Sequence, residues 1–300
     1  MFVLDSHTVP EGTQKARLSD YAIGLFEALP SRKSTKKAIK TGAIVIDGQR
    51  AETGTWVEVG QEIQLIEIRV PEHRLFEFPL EVVFEDDHLA IVQKPAGIVV
   101  SGNKFRTVEN ALPFNLKRSN EPGALLRFLP VHRLDSPTAG LLIIAKTAAA
   151  RIRLGEQFEQ HQIKKTYQAV VMGEAPEAGT INTPIEDKAS TTHFKRLAIV
   201  HSLRSEKLTL LELFPETGRT HQIRIHLARI GFPILGDQLY GEKGHILIGK
   251  GLFLAAVALS FEHPVLVTPL SFACAPPAKF SSFMATEERR WQHYKGNENG

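Results

Sequence analysis

Apolar residues at Tyr21, Leu25, Phe26 and Leu29 recur at three- and four-residue steps, which predicts an amphipathic helix ended by Pro30. A second helix is predicted from about Ser34 to Gly42, where a glycine suits a left-handed cap. The apolar run 43–46 leads into Asp47-Gly48, a pair favoured in tight hairpin turns, and Trp56-Val57 and residues 63–66 read as further strands. Pro71 and Pro79, set among mixed charges, mark a linker over 69–79. Beyond it, 82–84 and 89–92 are short strands separated by Glu85-Asp86-Asp87, and Lys94-Pro95-Ala96-Gly97 forms a turn. Strand-like runs return at 141–145, 167–172 and 208–214, with helical runs between them and no repeat of fixed period. That mixture predicts an α+β fold rather than a doubly wound parallel sheet.

Composition narrows the class. A chain of 300 residues, 43% hydrophobic and 23% charged, has the means for one large and one small packed core, and disorder is excluded for most of it. The apolar stretches 131–150 and 252–261 are broken by charge or too short to cross roughly 30 Å of hydrocarbon, so no membrane span is expected. The opening Met-Phe-Val-Leu-Asp-Ser-His lacks the basic start and apolar core of a secretory signal, which predicts a cytoplasmic protein. A single cysteine, Cys274, has no partner for a disulfide and reads as a buried, inert thiol.

The formal charge of +3 is too small to indicate a polyanionic partner, so its distribution decides. Lys33, Lys36, Lys37 and Lys40 share one face of the second predicted helix, with Arg32 beside them and no acid between. Such a stripe is either a solvated face or a phosphate-binding surface.

Two segments carry candidate chemistry. In the first, His132-Arg133-Leu134-Asp135-Ser136-Pro137-Thr138 stands directly before the apolar run that starts at Leu141. A carboxylate beside an arginine and a hydroxyl at a strand entrance is placed to serve as a nucleophile or base, or else as a structural ion pair capping the loop. The second segment is Gly218-Arg219-Thr220-His221-Gln222-Ile223-Arg224-Ile225-His226, at the start of a helix. There Ile223, Leu227 and Ile230 form the apolar side, and Thr220 and Arg224, four apart, share another face, from which Arg224 can reach a carboxylate. His221 and His226 are five apart, on different faces, and no third ligand accompanies them, so no metal is expected. Gly231, Pro233 and Gly236-Asp237 read as the helix stop and a sharp turn.

Taken in this order, the segments resemble those of the RluA family of pseudouridine synthases. His132-Arg133-Leu134-Asp135 with Thr138 and Gly140 is similar to the family's catalytic motif, and the segments at 218–226 and 233–237 are similar to its later motifs. Glu85-Asp86-Asp87 with residues 94–97, and the segment 165–171, fill the intervals, so the resemblance spans about 80 to 280. The N-terminal module resembles the S-four-like RNA-binding domain through its lysine stripe, its Thr41-Gly42 step and its Ile46-Asp47-Gly48 turn; Leu18-Ser19-Asp20 departs from the usual Leu-Asp pair. The resemblance implies an S-four-like domain at 14–68, the linker, a catalytic domain at 80–285 with a mixed, largely antiparallel sheet, and a tail at 286–300. It further implies a cofactor-free isomerase acting on RNA as a monomer.

By the same resemblance, Asp135 is the nucleophile that breaks and helps remake the bond between ribose and uracil, and Arg224 is the arginine paired with it. Tyr167 matches the tyrosine that stacks on the target base, and its hydroxyl is a candidate for assisting a proton transfer. Arg133 matches the arginine that fills the gap left by the extruded base, and Leu254 an apolar residue at the floor of the uracil pocket. His132, Thr138 and Arg219 complete the expected substrate contacts, and Lys33, Lys36, Lys37 and Lys40 the expected RNA contacts. Ala139 and Ala255 stand where the family commonly has Ser and His.

The S-four-like module favours ribosomal RNA of the large subunit as substrate, with transfer RNA as the alternative. A catalytically silent RNA-binding protein would have no need to keep Asp135, Tyr167 and Arg224 together. A carboxylate-based glycosidase would need a second acid at a defined distance from Asp135, and the sequence offers no candidate.

Overall fold

The computed structural model describes residues 2–29, 31–67, 75–242, 247 and 249–296. The chain divides into two compact units, Met1–Arg74 and Leu75–Gly300.

The first unit comprises β1 (Phe2–Thr8), α1 (Leu18–Tyr21), α2 (Arg32–Thr41), β2 (Ile44–Ile46), β3 (Gln49–Arg50) and β4 (Glu62–Glu67), with sheet order β1-β4-β2-β3. Asp47 and Gly48 both take positive φ, 49° and 72°, as a tight two-residue hairpin between β2 and β3 requires. The expected first helix is one turn long. Gly24 at φ 69° follows it, and the chain continues as turns that still bury Ala22 and Phe26. Pro30, its expected terminator, lies outside the described residues. The second helix starts earlier than Ser34 because Ser31 and Ser34 cap it reciprocally, and it stops at Gly42 with φ 80°. The unit also starts before residue 14, since β1 pairs with β4 along its length. Trp56 forms only a bridge to Arg17, not a strand.

The second unit comprises β5 (Glu81–Glu85), β6 (Leu89–Lys94), α3 (Val108–Asn115), β7 (Ala124–Pro130), β8 (Ala139–Thr147), α4 (Ala148–Glu159), β9 (Lys164–Met172), β10 (Ala178–Ile181), β11 (Thr192–Ser202), β12 (Glu206–Pro215), α5 (Gln222–Arg229), β13 (Leu254–Glu262), β14 (Pro269–Ala273) and α6 (Lys279–Gly296). Its sheet runs β10-β11-β12-β9-β13-β8-β6-β5, with β14 on β13 and β7 on β8. Every pairing is antiparallel except β13 with β8, so the fold is α+β with a mixed, largely antiparallel sheet.

Both domain edges differ from the sequence expectation. Residues 68–74 of the expected linker lie outside the described residues, but Phe76 and Phe78 already pack on the core under α3, and Asn115 Nδ2 donates to the Phe78 carbonyl. At the other end α6 crosses residue 286. Beyond that point Glu287 accepts from Ser202 Oγ, Glu288 from the His201 N–H, and Trp291 stacks on His201, so this stretch packs on the second unit rather than trailing from it. Residues 297–300 of the expected tail lie outside the described residues.

The parallel seam positions the site. There Ala139 is the register partner of Ala255, and Gly140 of Ala256. Gly140 sits at φ 124°, and a Cβ on it would lie 2.1 Å from the Ala256 carbonyl oxygen. Only glycine lets the two strands meet this closely. Gly140→Ala is therefore expected to cost about 1–3 kcal/mol by overpacking, read as a lower midpoint in thermal or denaturant unfolding.

Candidate active site

Asp135 lies in the loop joining β7 to β8, four residues before the seam. Lys94, fully buried at the end of β6, ties that loop down. Its ammonium donates to the carbonyls of Pro95 (2.9 Å), Ser136 (3.0 Å) and Thr138 (2.7 Å), while the Gly97 N–H donates to Ser136 O. Burial pulls the Lys94 pKa down to about 8, against the opposing charge of Asp135. The backbone that carries Asp135 is thus held from below by one cation.

The carboxylate meets its partners at the start of α5. Arg224 Nη1 donates to Asp135 Oδ2 at 3.3 Å, while Arg224 Nε and Nη2 grip both oxygens of Asp237 at 2.7 and 2.8 Å. The Arg224 side chain is 4% exposed and that of Asp237 1%, whereas Asp135 keeps 16%. Burial pushes the Asp237 carboxyl up, but the hydrogen bonds and charge of Arg224, with the Leu239 and Tyr240 N–H groups, outweigh it and hold its pKa below the ordinary range. Asp237 therefore fixes the arginine, and the arginine presents a single N–H edge to Asp135.

His221 completes the arrangement. It precedes α5 in a left-handed conformation, φ 56°, sparsely populated for a residue with a side chain. Its Nδ1 shares a hydrogen bond with Tyr240 Oη at 2.9 Å, and its Nε2 stands 3.7 Å from Asp135 Oδ1. The helix begins at Gln222, so Thr220 lies before it and does not stack on Arg224 within it, as the spacing had suggested. His226 is buried on Thr192, Ser190 and the Thr183 carbonyl, away from His221. Among the described residues no group of three or more metal-ligating side chains is found.

A cavity of about 310 Å³ opens over Asp135, and all eight residues expected at the catalytic centre line it: Asp135, Tyr167, Arg224, Arg133, His132, Thr138, Arg219 and Leu254. Tyr167, on β9, is half-buried and packs on the cores at both sides of the seam. Burial, then the nearby Asp135 charge, pushes its hydroxyl well above the ordinary tyrosine range, so it stays protonated at neutral pH and offers a donor rather than a base. Leu254, buried at the start of β13, gives the cavity an apolar wall. Arg133 is exposed at the mouth, and Arg219 is steadied by the Ala189 carbonyl at 3.2 Å.

His132 has a different environment from that of a free substrate contact. Its Nε2 accepts the Ile143 N–H at 3.0 Å, and burial, with the Lys165 charge, pulls its pKa down to about 3 despite a hydrogen bond to the Arg133 backbone. The ring is neutral and spent on the loop. The Thr138 hydroxyl is buried with no partner among the described residues. Lys165, whose pKa burial lowers, adds a further amine to the wall.

Lys94, Lys165, Asp237, His221 and Tyr240 belong to the site in addition to the residues expected there. Lys94 had a signal, a lone cation ending the apolar run 89–92. Asp237 lies in the segment 233–237, which reads as a sharp turn and is similar to a later motif of the family.

The lysine stripe is confirmed as one surface, since Arg32, Lys33, Lys36, Lys37 and Lys40 line a single shallow groove on α2. Cys274 is half-buried, not buried, and burial followed by the Glu81 charge pushes its thiol up. No helix among the described residues is long and apolar enough to cross a membrane.

Residues 88–229 match the family model for RNA pseudouridylate synthase. The ribosomal large subunit pseudouridine synthase D of Xanthomonas campestris is 33% identical over 305 residues, covering 92% of this chain and 90% of that protein. The chain belongs to the RluA family of pseudouridine synthases. The protein of the same name from Nitrosomonas europaea is 37% identical, over 78% of this chain and 72% of its own length. Among solved structures, human RNA pseudouridylate synthase domain containing 1 shares the fold, with a TM-score of 0.56 and 24% identity over 66% of this chain and 84% of that one. As a family member the chain is an RNA pseudouridine synthase, an enzyme that isomerises uridine within RNA. Ala139 and Ala255 are register partners across the seam.

Proposed function

We propose that this enzyme converts a uridine of large-subunit ribosomal RNA to pseudouridine, acting in the cytoplasm as a monomer, with Asp135 as nucleophile. The observation that carries the mechanism is the placement of Asp135: one oxygen is held by a buried Arg224–Asp237 pair, and the residue lines the cavity that Tyr167 and Leu254 also line. The substrate assignment rests on near full-length similarity to relatives named for the large ribosomal subunit.

In this reading the uridine leaves its stack, which costs a few kcal/mol, and its uracil enters the cavity against Tyr167 and Leu254. Asp135 attacks at the sugar carbon C1′, or stabilises positive charge there, as the C1′–N1 bond breaks. The freed uracil turns, a C1′–C5 bond forms as any Asp135–C1′ bond breaks and the carboxylate is restored, the C5 proton leaves and N1 ends protonated, so no atom is gained or lost. Arg133 at the mouth fills the vacated stack, and its planar guanidinium suits that task. Arg219 and Lys165 add positive charge for the RNA backbone, and Thr138 and His132 shape the wall.

The first unit is proposed to act as an S-four-like grip through Lys33, Lys36, Lys37 and Lys40. Replacing Lys36 and Lys37 by Ala is expected to weaken RNA binding and to lower the slope of log K against log salt by roughly 0.7–0.9 per lysine. An unchanged slope in filter-binding or anisotropy titrations would leave the stripe as plain solvent-facing surface.

The substrate itself is named by deleting the gene and mapping pseudouridines across ribosomal and transfer RNA, with and without re-expression of the protein. Marks that vanish from large-subunit RNA and return on re-expression support the proposal, whereas loss confined to transfer RNA refutes the target.

A further inference from the structure

Asp135 borders a second cavity, of about 510 Å³, on its other side. The two hollows share Arg133, Asp135, His221 and Arg224, so they meet at the carboxylate. An RNA strand whose target sugar sits at Asp135 and whose target base fills the first cavity must lead its next nucleotide away from this point. The second cavity is the hollow continuous with it.

The turn after α5 builds that hollow. Gly236, at φ 78°, lies so close to Gly251 that a Cβ would sit 2.1 Å from the Gly251 carbonyl oxygen. Backbone rather than side chain therefore makes the floor. Asp237 Oδ1 accepts from the Leu239 and Tyr240 N–H groups at 2.9 and 3.1 Å, which fixes the turn between Gly236 and Tyr240. Gln238 and Leu239 are consequently held outward at the rim, with Leu239 67% exposed.

The lining selects the occupant. Val99, Pro137, Leu239 and Leu252 give apolar surface, and Gln238 adds an amide with both a donor and an acceptor. The carboxylates of Asp135 and Asp237 also border the cavity, and Arg224 is already committed to both. The two carboxylates are balanced by Arg133 and Arg224 at the same border, so the cavity offers no net charge to a phosphate, whereas a neutral flat ring with a hydrogen-bonding edge meets apolar surface and an amide.

We propose that the second cavity receives the base of the nucleotide adjoining the flipped uridine, packed on Leu239 and contacted at its edge by Gln238, and that this contact helps choose which uridine is modified. The proposal rests on the placement of the target uridine at Asp135 given above.

The test uses the full chain and an RNA stem-loop that the wild-type protein modifies, together with two copies of it made abasic at the nucleotide 5′ or 3′ of the target. Gln238→Ala/Leu239→Ser is expected to lower kcat/KM on the intact RNA by about tenfold or more, with an unchanged melting temperature. On one of the two abasic RNAs the wild type falls by a similar factor and the variant falls no further. Full activity of the variant on intact RNA, or losses that multiply on both abasic RNAs, would overturn the proposal. A wild-type protein that forms no pseudouridine in any RNA would instead remove the reading on which it rests, and this one with it.

Discussion

Asp135→Asn is expected to lower pseudouridine formation by about 10³-fold or more, the scale on which a group acting directly in the bond changes is lost. Its RNA affinity and melting temperature should stay close to those of the wild type. The amide has the size of the carboxylate and keeps an oxygen for Arg224 Nη1, which makes a single 3.3 Å bond to Asp135. Arg224 also retains its two shorter bonds to Asp237, so no buried charge is left alone. What disappears is the negative charge of the carboxylate at the cavity wall. Single-turnover assays on a modifiable RNA, read by mass shift after labelling of pseudouridine, measure the first effect, and equilibrium binding measures the second. A variant that keeps more than a tenth of the activity would remove Asp135 from the role of nucleophile.

Asp237→Ala is expected to have the opposite balance, with a large loss of stability. Removing one partner of a buried ion pair typically costs about 3–5 kcal/mol, because the remaining charge stays buried without compensation. Here the substitution would strip Arg224 Nε and Nη2 of their acceptors and free the Leu239 and Tyr240 N–H groups in the same step. Chemical denaturation should show a lower midpoint with a similar slope, and activity should fall as Arg224 loses its anchor. The pair also predicts an acid response. The folded pKa of Asp237 lies below its unfolded value of about 3.9. Its contribution is complete above the unfolded pKa and is lost as pH falls through the folded one. In that acid range the wild type should lose stability more steeply than Asp237→Ala. Parallel pH profiles would contradict the account.

The local chain is informative where the determinants are local. Asp47-Gly48 is followed by a hairpin, Gly42 by a helix stop, and the apolar runs at 89–92 and 141–145 by the central strands β6 and β8. The spacing of Tyr21 to Leu29 misled, since the same residues bury as well on turns once Gly24 breaks the helix. Strand β1 went unseen because its partner, β4, lies more than fifty residues away and supplies the hydrogen bonds that make it a strand. The expected linker and tail were too generous for a similar reason: Phe76, Phe78 and Trp291 reveal their packing only when their partners are in place.

The same division holds for the site. The sequence by itself determined the family, the carboxylate at 135, the arginine at 224 and the lysine face of α2, since each lies in a short segment whose pattern is set by neighbouring residues. Tertiary structure alone decided that Lys94 pins the loop that carries Asp135, that Asp237 rather than Asp135 takes most of Arg224, that His132 is spent on the Ile143 N–H, and that Ala139 and Ala255 are register partners. Each of these joins segments from separate strands and loops, and burial raises the cost of leaving their polar groups unpaired. A carboxylate can be recognised from its neighbours along the chain, but what it can do depends on which charges the fold brings to it and which it keeps occupied elsewhere.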